Sequence, residues 1–160
     1  MSFAVWFSTH LSFLPPQLAV LLVSMVPVVE LRGGIPLARL LHLPLSQAIL
    51  FSVIGNLIPI PFILLFVRKI FDWLRPTKLL GGFVTKMENR AMNKSGKIGK
   101  AEFWGLLLFV GIPLPGTGGW TGSLIASLLR IDLKKAVLAI LCGLALAATI
   151  MSLIAYGIFG

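Results

Sequence analysis

Two apolar stretches of this chain are broken in the middle, and the breaks limit what it can fold into. The first, Val26-Pro27-Val28-Val29-Glu30-Leu31-Arg32-Gly33-Gly34-Ile35-Pro36, places an acid, a base, two glycines and two prolines in a run otherwise free of charge. The second, Gly111-Ile112-Pro113-Leu114-Pro115-Gly116-Thr117-Gly118-Gly119-Trp120-Thr121-Gly122, carries no charge but cannot continue a regular helix. Their surroundings read as membrane. The chain is 58% apolar and only 12% charged, with a mean hydropathy of +0.99. Soluble domains carry about 25% charged residues.

The net charge of +9 does not point to nucleic acid. Nine of the fourteen Lys and Arg fall between Arg68 and Glu102, between apolar segments. Contact with anionic headgroups and the positive-inside rule explain that distribution and put this loop in the cytoplasm. Within it, Lys86 to Met92 reads as an amphipathic surface helix, Asn93 to Gly99 as a turn, and Trp73 and Trp104 as interfacial anchors. The single cysteine, Cys142, excludes an internal disulfide framework and is expected to pack inside a helix. Met1 to Leu14 lacks the basic start of a signal peptide and is too short to span. Its Trp6 and three phenylalanines predict an amphipathic N-terminal helix in the interface.

Gln17 to Val26 rises about 15 Å as a helix, half of a roughly 30 Å hydrocarbon core, before the first break. Ile35 to Leu43 is long enough only to return. Gln17 to Leu43 is therefore expected to be a re-entrant helical hairpin, with its irregular backbone buried in protein or lining a wet cavity. Leu45 to Val67 is a full span containing Asn56, Pro59 and Pro61. Phe103 to Leu129 is expected to repeat the hairpin around the glycine-rich tip, with one kinked span as the alternative, and Ala136 to Gly160 is the second span.

Shifting the chain by 88 residues lays Pro27 on Pro115, Gly34 on Gly122, Ala38 on Ala126 and Gly55 on Gly143. Each unit is a hairpin plus a span, so the two open to opposite faces. The expected fold is an all-α integral membrane protein of two inverted repeats. It forms a single membrane domain: repeat 1 at about 17–67, a cytoplasmic loop at about 68–102 and repeat 2 at about 103–160. Both termini are expected outside. Many secondary transporters are built this way, with the site at the midplane where broken helices meet.

Glu30 and Arg32 are the charges expected at that depth, where a charge costs roughly 2.5–3.5 kcal/mol on insertion scales. They are expected either to lock the first hairpin as a pair or to mark a pathway. Residues two apart do not face each other on a regular helix, so a direct pair needs unwound backbone at Gly33-Gly34. A carboxyl held between burial and a cation can take and release a proton or bind a monovalent cation. The second tip offers backbone chemistry instead. Glycine N–H groups near Gly122 would form an anion-binding helix start, with Thr117, Thr121 and Ser123 as hydroxyls and Trp120 as a flat surface. The expected substrate or ion site is thus Glu30, Arg32, Gly33, Gly34, Pro36 and Asn56 with Pro113, Pro115, Gly116, Thr117, Gly118, Gly119, Trp120, Thr121, Gly122 and Ser123. For Asn56 a helix-bridging role is weighed above a ligand role. Arg39 is expected to snorkel near the interface and His42 to be solvated. No nucleotide loop, paired carboxylates or metal-ligand spacing occurs, so neither an enzyme nor a cofactor is expected.

The Pro-Val-Val-Glu-Leu-Arg-Gly-Gly-Ile-Pro and Pro-Leu-Pro-Gly-Thr-Gly-Gly-Trp-Thr-Gly stretches together resemble the small multi-drug export protein family of bacteria and archaea. The resemblance runs from about Leu18 to the last span. It implies a cell-membrane exporter with its site at Glu30, Arg32, Gly33, Gly34, Pro36 and residues 113–122. The family is distantly similar to the DedA/VTT membrane proteins, which implies lipid or polyprenyl phosphates as an alternative substrate for a flippase or scramblase. This chain departs from the DedA pattern at its second break, which has no arginine. It also differs from the four-span small multidrug resistance type, whose lone glutamate lies in an unbroken first helix. The leading expectation is a transporter of a small or amphiphilic solute coupled to a proton or cation. A homodimer is expected because two hairpins and two spans enclose little volume. A non-transporting scaffold is the third reading.

Overall fold

The computed structural model describes residues 14–74, 82 and 98–158. The expected N-terminal interfacial helix and the surface helix at 86–92 lie outside the described residues. All regular structure within them is helical. The order is α1 (Pro16–Met25), α2 (Glu30–Leu40), α3 (Leu45–Leu57), α4 (Pro59–Leu74), α5 (Ile98–Gly111), α6 (Gly119–Leu128) and α7 (Leu133–Ser152), followed by a π-helical segment (Leu153–Ile158).

Among the described residues, two helical segments are long and apolar enough to cross a membrane, Leu45–Ile70 and Leu133–Gly157. The first runs through α3 and α4 with a turn at Ile58. Pro59 opens α4, where its missing N–H costs no helical bond. The second begins at Leu133, three residues before the expected start, because Asp132 caps it by accepting from the Lys135 N–H at 3.1 Å. A pair of short helices precedes each of them, α1 and α2 before the first and α5 and α6 before the second. α1, α2 and α6 have 10, 11 and 10 residues, about 15–17 Å each, or half a bilayer. α5 has 14 and takes in Gly99, which was expected in a turn.

The first break is not where the glycines are. The chain leaves helical geometry at Val26–Val29, and α2 starts at Glu30, so Gly33, Gly34 and Pro36 are helical. Gly34 serves helix crossing instead. A Cβ there would overlap the Ser24 hydroxyl of α1 and lie 2.8 Å from that of Ser52 on α3. Small residues at such contacts let backbones approach closely. At the second pair, a Cβ on Gly122 of α6 would lie 2.5 Å from Val110 of α5.

Local backbone features recur 88 residues apart. Left-handed φ occurs at Val28 and Gly116, at Glu30 and Gly118, and at His42 and Arg130. α2 ends in a Schellman turn, with Leu43 N–H on the Ala38 carbonyl and His42 N–H on Arg39; α6 ends the same way, with Ile131 on Ala126 and Arg130 on Ser127. The last turns of the long helices also correspond. Arg68 donates to the Ile131 carbonyl, and the Tyr156 hydroxyl donates to Leu43 O at 2.9 Å. Each span therefore ends by holding the turn that closes the other short-helix pair.

The core has two parts. One joins Leu31 and Ile35 of α2 with Leu64, Val110, Ile140 and Leu144. The other gathers Ala19, Val20 and Val23 of α1 with Leu37, Ala38 and Leu43. Cys142, expected inside a helix, is on the exposed face of α7. Trp73 and Trp104 are exposed, as interfacial anchors require.

Candidate functional site

The two tips meet, and their contact is electrostatic. Glu30 is 2% exposed, although it carries the chain's expected mid-depth acid. Its carboxylate accepts from the backbone N–H of Gly119 at 3.1 Å and of Trp120 at 2.9 Å. Those are the first two residues of α6, so the carboxylate lies on that helix's positive end. It also stands in the first turn of its own helix, α2. Asn56 of α3, wholly buried, approaches the same carboxylate with its amide nitrogen at 3.5 Å. Asn56 Oδ1 and the neighbouring Ser52 Oγ have no protein partner.

Arg32 does the reverse at the other helix end. Its Nη1 donates to the carbonyls of Leu114 at 2.5 Å and Thr117 at 2.8 Å. Its Nη2 reaches the Val110 and Ile112 carbonyls at 3.3 and 3.2 Å and the Thr117 hydroxyl at 2.8 Å. Val110 is in the last turn of α5, which Gly111 closes, and Ile112 follows it, so the guanidinium satisfies carbonyls at the negative end of that helix. Guanidinium is suited to this: it is planar, weakly hydrated and carries five donors in a fixed fork.

The direct pair weighed as one reading of Glu30 and Arg32 does not form: both are in the first turn of α2, two residues apart, and they bond to different partners. Each charge of the first tip meets the helix end of opposite polarity in the second. The expected anion-binding start near Gly122 is corrected in the same way. α6 begins at Gly119, Gly122 N–H is already bonded to Gly118 O at 2.8 Å, and the open N–H groups of Gly119 and Trp120 are occupied by Glu30.

Gly118 makes the approach possible. Its φ of 134° is open to glycine, and a Cβ there would lie 2.7 Å from the Glu30 carboxyl carbon. Thr117 organises the turn before it: its hydroxyl accepts from Leu114 N–H at 3.3 Å and lies within 3.0 Å of the Ile112 and Leu114 carbonyls. Pro113, Pro115 and Gly116 shape this turn, and Thr121 belongs to the first turn of α6. None of these four supplies an atom bonded to Glu30 or Arg32. Ser123 is buried and bonds back to the Gly119 carbonyl at 2.6 Å. Trp120 contributes its backbone to the site, while its indole Nε1 is buried without a protein partner.

Sequence reasoning passed over Arg68 and Tyr156, and over Ser24 and Ser52 beside Gly34. The 88-residue shift was the available signal for the first two, since it lays Arg68 on Tyr156. Arg39, expected to snorkel, stacks its guanidinium 5.5 Å from the Tyr156 ring centre. His42 is exposed at the turn after α2.

The fold and the site define an all-helical membrane protein with a buried charged junction between two short-helix pairs. Residues 30–150 match the family model described as "Putative small multi-drug export protein". The chain belongs to that family, which is named for export and not for catalysis. No curated protein and no solved structure gave a match.

Proposed function

We propose that this chain is a small exporter whose two short-helix pairs are re-entrant hairpins, arranged as inverted repeats about the bilayer midplane. The recurrence of left-handed positions, Schellman turns and span-end bonds 88 residues apart supports the repeat. The half-bilayer lengths of α1, α2 and α6 support re-entry. In this reading the loop at 68–102 is cytoplasmic and both termini are outside. The solute is small or amphiphilic, and the path opens where the tips now touch.

One observation carries the mechanism: the Glu30 carboxylate is the acceptor that binds the start of α6 to the first tip. A protonated carboxyl accepts more weakly and loses its attraction to the helix dipole, so proton binding loosens this junction. A monovalent cation drawn to the carboxylate, with Asn56 Oδ1 as a second oxygen, competes for it in the same way. The charged group nearest Glu30 on its own helix is Arg32, which turns to the α5 end; α3 presents neutral Asn56 to Glu30 and α6 presents backbone N–H. Loosening and re-forming the junction would couple ion movement to opening.

The test is flux in proteoliposomes with an imposed pH gradient. Wild type should show gradient-driven transport, and Glu30→Gln, which keeps the shape but cannot ionise, should lose the pH dependence while remaining folded. Unchanged pH-dependent flux in that variant would refute the role given to Glu30. Leaflet exchange of a labelled lipid or polyprenyl phosphate without solute flux would favour a flippase; neither activity in folded protein would leave a scaffold. A second copy is part of the reading, because one chain encloses little volume and Val28 at the first tip is 89% exposed. Disulfide crosslinking of Val28→Cys in a Cys142→Ser background should give dimers in the bilayer if the tips lie at the shared wall.

A further inference from the structure

α3 and α7 occupy matching places in the two halves, yet they bring different chemistry to the tips. Gly55 of α3 and Gly143 of α7, 88 residues apart, each press against the first helix of their own pair. A Cβ would lie 2.3 Å from the Leu21 carbonyl oxygen in one case and 2.8 Å from that of Leu107 in the other. The same shift lays Asn56 on Leu144 and Ser52 on Ile140, and all four are buried. The fold therefore accepts hydrocarbon at both positions. α3 nevertheless buries two polar side chains there, and each leaves an oxygen, Asn56 Oδ1 and Ser52 Oγ, without a protein partner. An unpaired buried polar atom costs about 1–3 kcal/mol. Asn56 Oδ1 faces the start of α6, 3.2 Å from where a Gly119 Cβ would stand, and the amide nitrogen of the same side chain is 3.5 Å from Glu30 Oε2.

From this orphaned acceptor beside a buried carboxylate we infer that the ion coupled at Glu30 is the proton, and that Asn56 is the positioning residue that receives it. The inference rests on the exporter reading and narrows its two ions to one. Among the described residues the hydrogen-bond partners of the carboxylate are all donors: the N–H groups of Gly119 and Trp120 and the Asn56 amide. Such dipoles oppose a metal cation and give it no oxygen, whereas hard cations are held by about six or more oxygen ligands. A proton needs one acceptor. The amide of Asn56 carries both an acceptor oxygen and donor N–H groups. Its 3.5 Å contact is longer than the roughly 2.7–3.2 Å of an N–H···O bond, so the nitrogen is held loosely. Half a turn about the Cβ–Cγ bond exchanges the two ends. A proton added at Oε2 then becomes an O–H that donates to Asn56 Oδ1, and the N–H contact to Oε2 is given up. Gly119 and Trp120 are left facing a neutral acid, which loosens the junction. Other charges are turned away. α1, α3 and α6 carry no titratable side chain, Arg32 of α2 bonds to the α5 end, and Arg68 of α4 bonds to the Ile131 carbonyl. Lys69 of α4 and Lys134, Lys135 and Cys142 of α7 are exposed.

Infrared difference spectroscopy of the full chain in phosphatidylcholine vesicles, titrated in pH, tests this without any transported solute. The carboxylic C=O band of Glu30 is the one that Glu30→Gln removes. In wild type it should appear on acidification at the frequency of a hydrogen-bonded acid, with the same midpoint in sodium chloride as in choline chloride. Asn56→Leu installs the side chain found at the matching position, and it should move the band to the higher frequency of an acid without an acceptor. Asn56→Ala should give the same upward shift if the leucine variant does not fold. No titrating Glu30 band, a frequency indifferent to Asn56, or a midpoint that falls as sodium replaces choline would overturn the assignment. An Asn56-dependent band in protein that shows no gradient-driven flux would keep it and refute the exporter reading. Gradient-driven flux that Glu30→Gln abolishes, with a band indifferent to Asn56, would do the opposite.

Discussion

The two tips solve one problem with different chemistry. The first supplies side-chain charge on a strained backbone: Val28 and Glu30 hold φ values of 73° and 51°, where non-glycine residues are uncommon. The second supplies backbone dipoles on a permissive one, with Gly116 and Gly118 at the matching positions. Neither arrangement stands alone in apolar surroundings. Unpaired charge is costly there, and so are open N–H and C=O groups. Each tip satisfies the other, which is why the charges appear on one side only. The lesson is that a broken helix in a membrane need not await a ligand; a second broken helix can complete it.

The comparison is broken most severely at Gly118. Gly118→Ala forces a Cβ into the Glu30 carboxylate and strains the backbone at φ 134°. Strain of about 1–3 kcal/mol and the loss of charged hydrogen bonds worth about 1.5–3 kcal/mol each should lower unfolding stability by roughly 3 kcal/mol or more. Thermal or denaturant unfolding in detergent would measure it; a wild-type transition would show that the contact is dispensable. Arg32→Lys keeps the charge and removes the fork. Lysine cannot span the Val110, Ile112, Leu114 and Thr117 acceptors together, so a loss of about 1–3 kcal/mol is expected in the same assay. A loss as small as that of a surface lysine swap would mean charge alone suffices. The smallest effect has the opposite sign. Val28→Gly gives the first tip the backbone freedom of the second and should stabilise by about 1 kcal/mol, since the left-handed region costs L-residues roughly 1–2 kcal/mol and Val28 is exposed. Destabilisation would show that the valine side chain has a partner in the bilayer.

Much of this was legible from residue order. Long uncharged runs gave the two membrane-length helices, and prolines with glycines marked where short helices had to stop. The returning helix expected from Ile35 to Leu43 runs from Glu30 to Leu40, five residues early at its start, and the 88-residue register was visible in Pro27, Pro115, Gly34 and Gly122. The role of Gly33-Gly34 was misread because glycine permits both unwinding and close packing, and only the neighbours Ser24 and Ser52 distinguish these. Glu30 and Arg32 could be singled out by type and depth, but not assigned partners. Nothing local in Gly119-Trp120 or Val110-Gly111 reveals that a carboxylate and a guanidinium from about eighty residues away will face them.

Sequence alone therefore determined the solvent, the helices and the places where they end, because hydropathy, chain reach and the backbone chemistry of proline and glycine are local properties. Tertiary structure decided which helix end meets which charge, and which turn the end of each span holds. Those outcomes depend on distances between segments remote in the chain: an ionised group buried in apolar surroundings takes whatever complementary dipole the packing brings within hydrogen-bonding range.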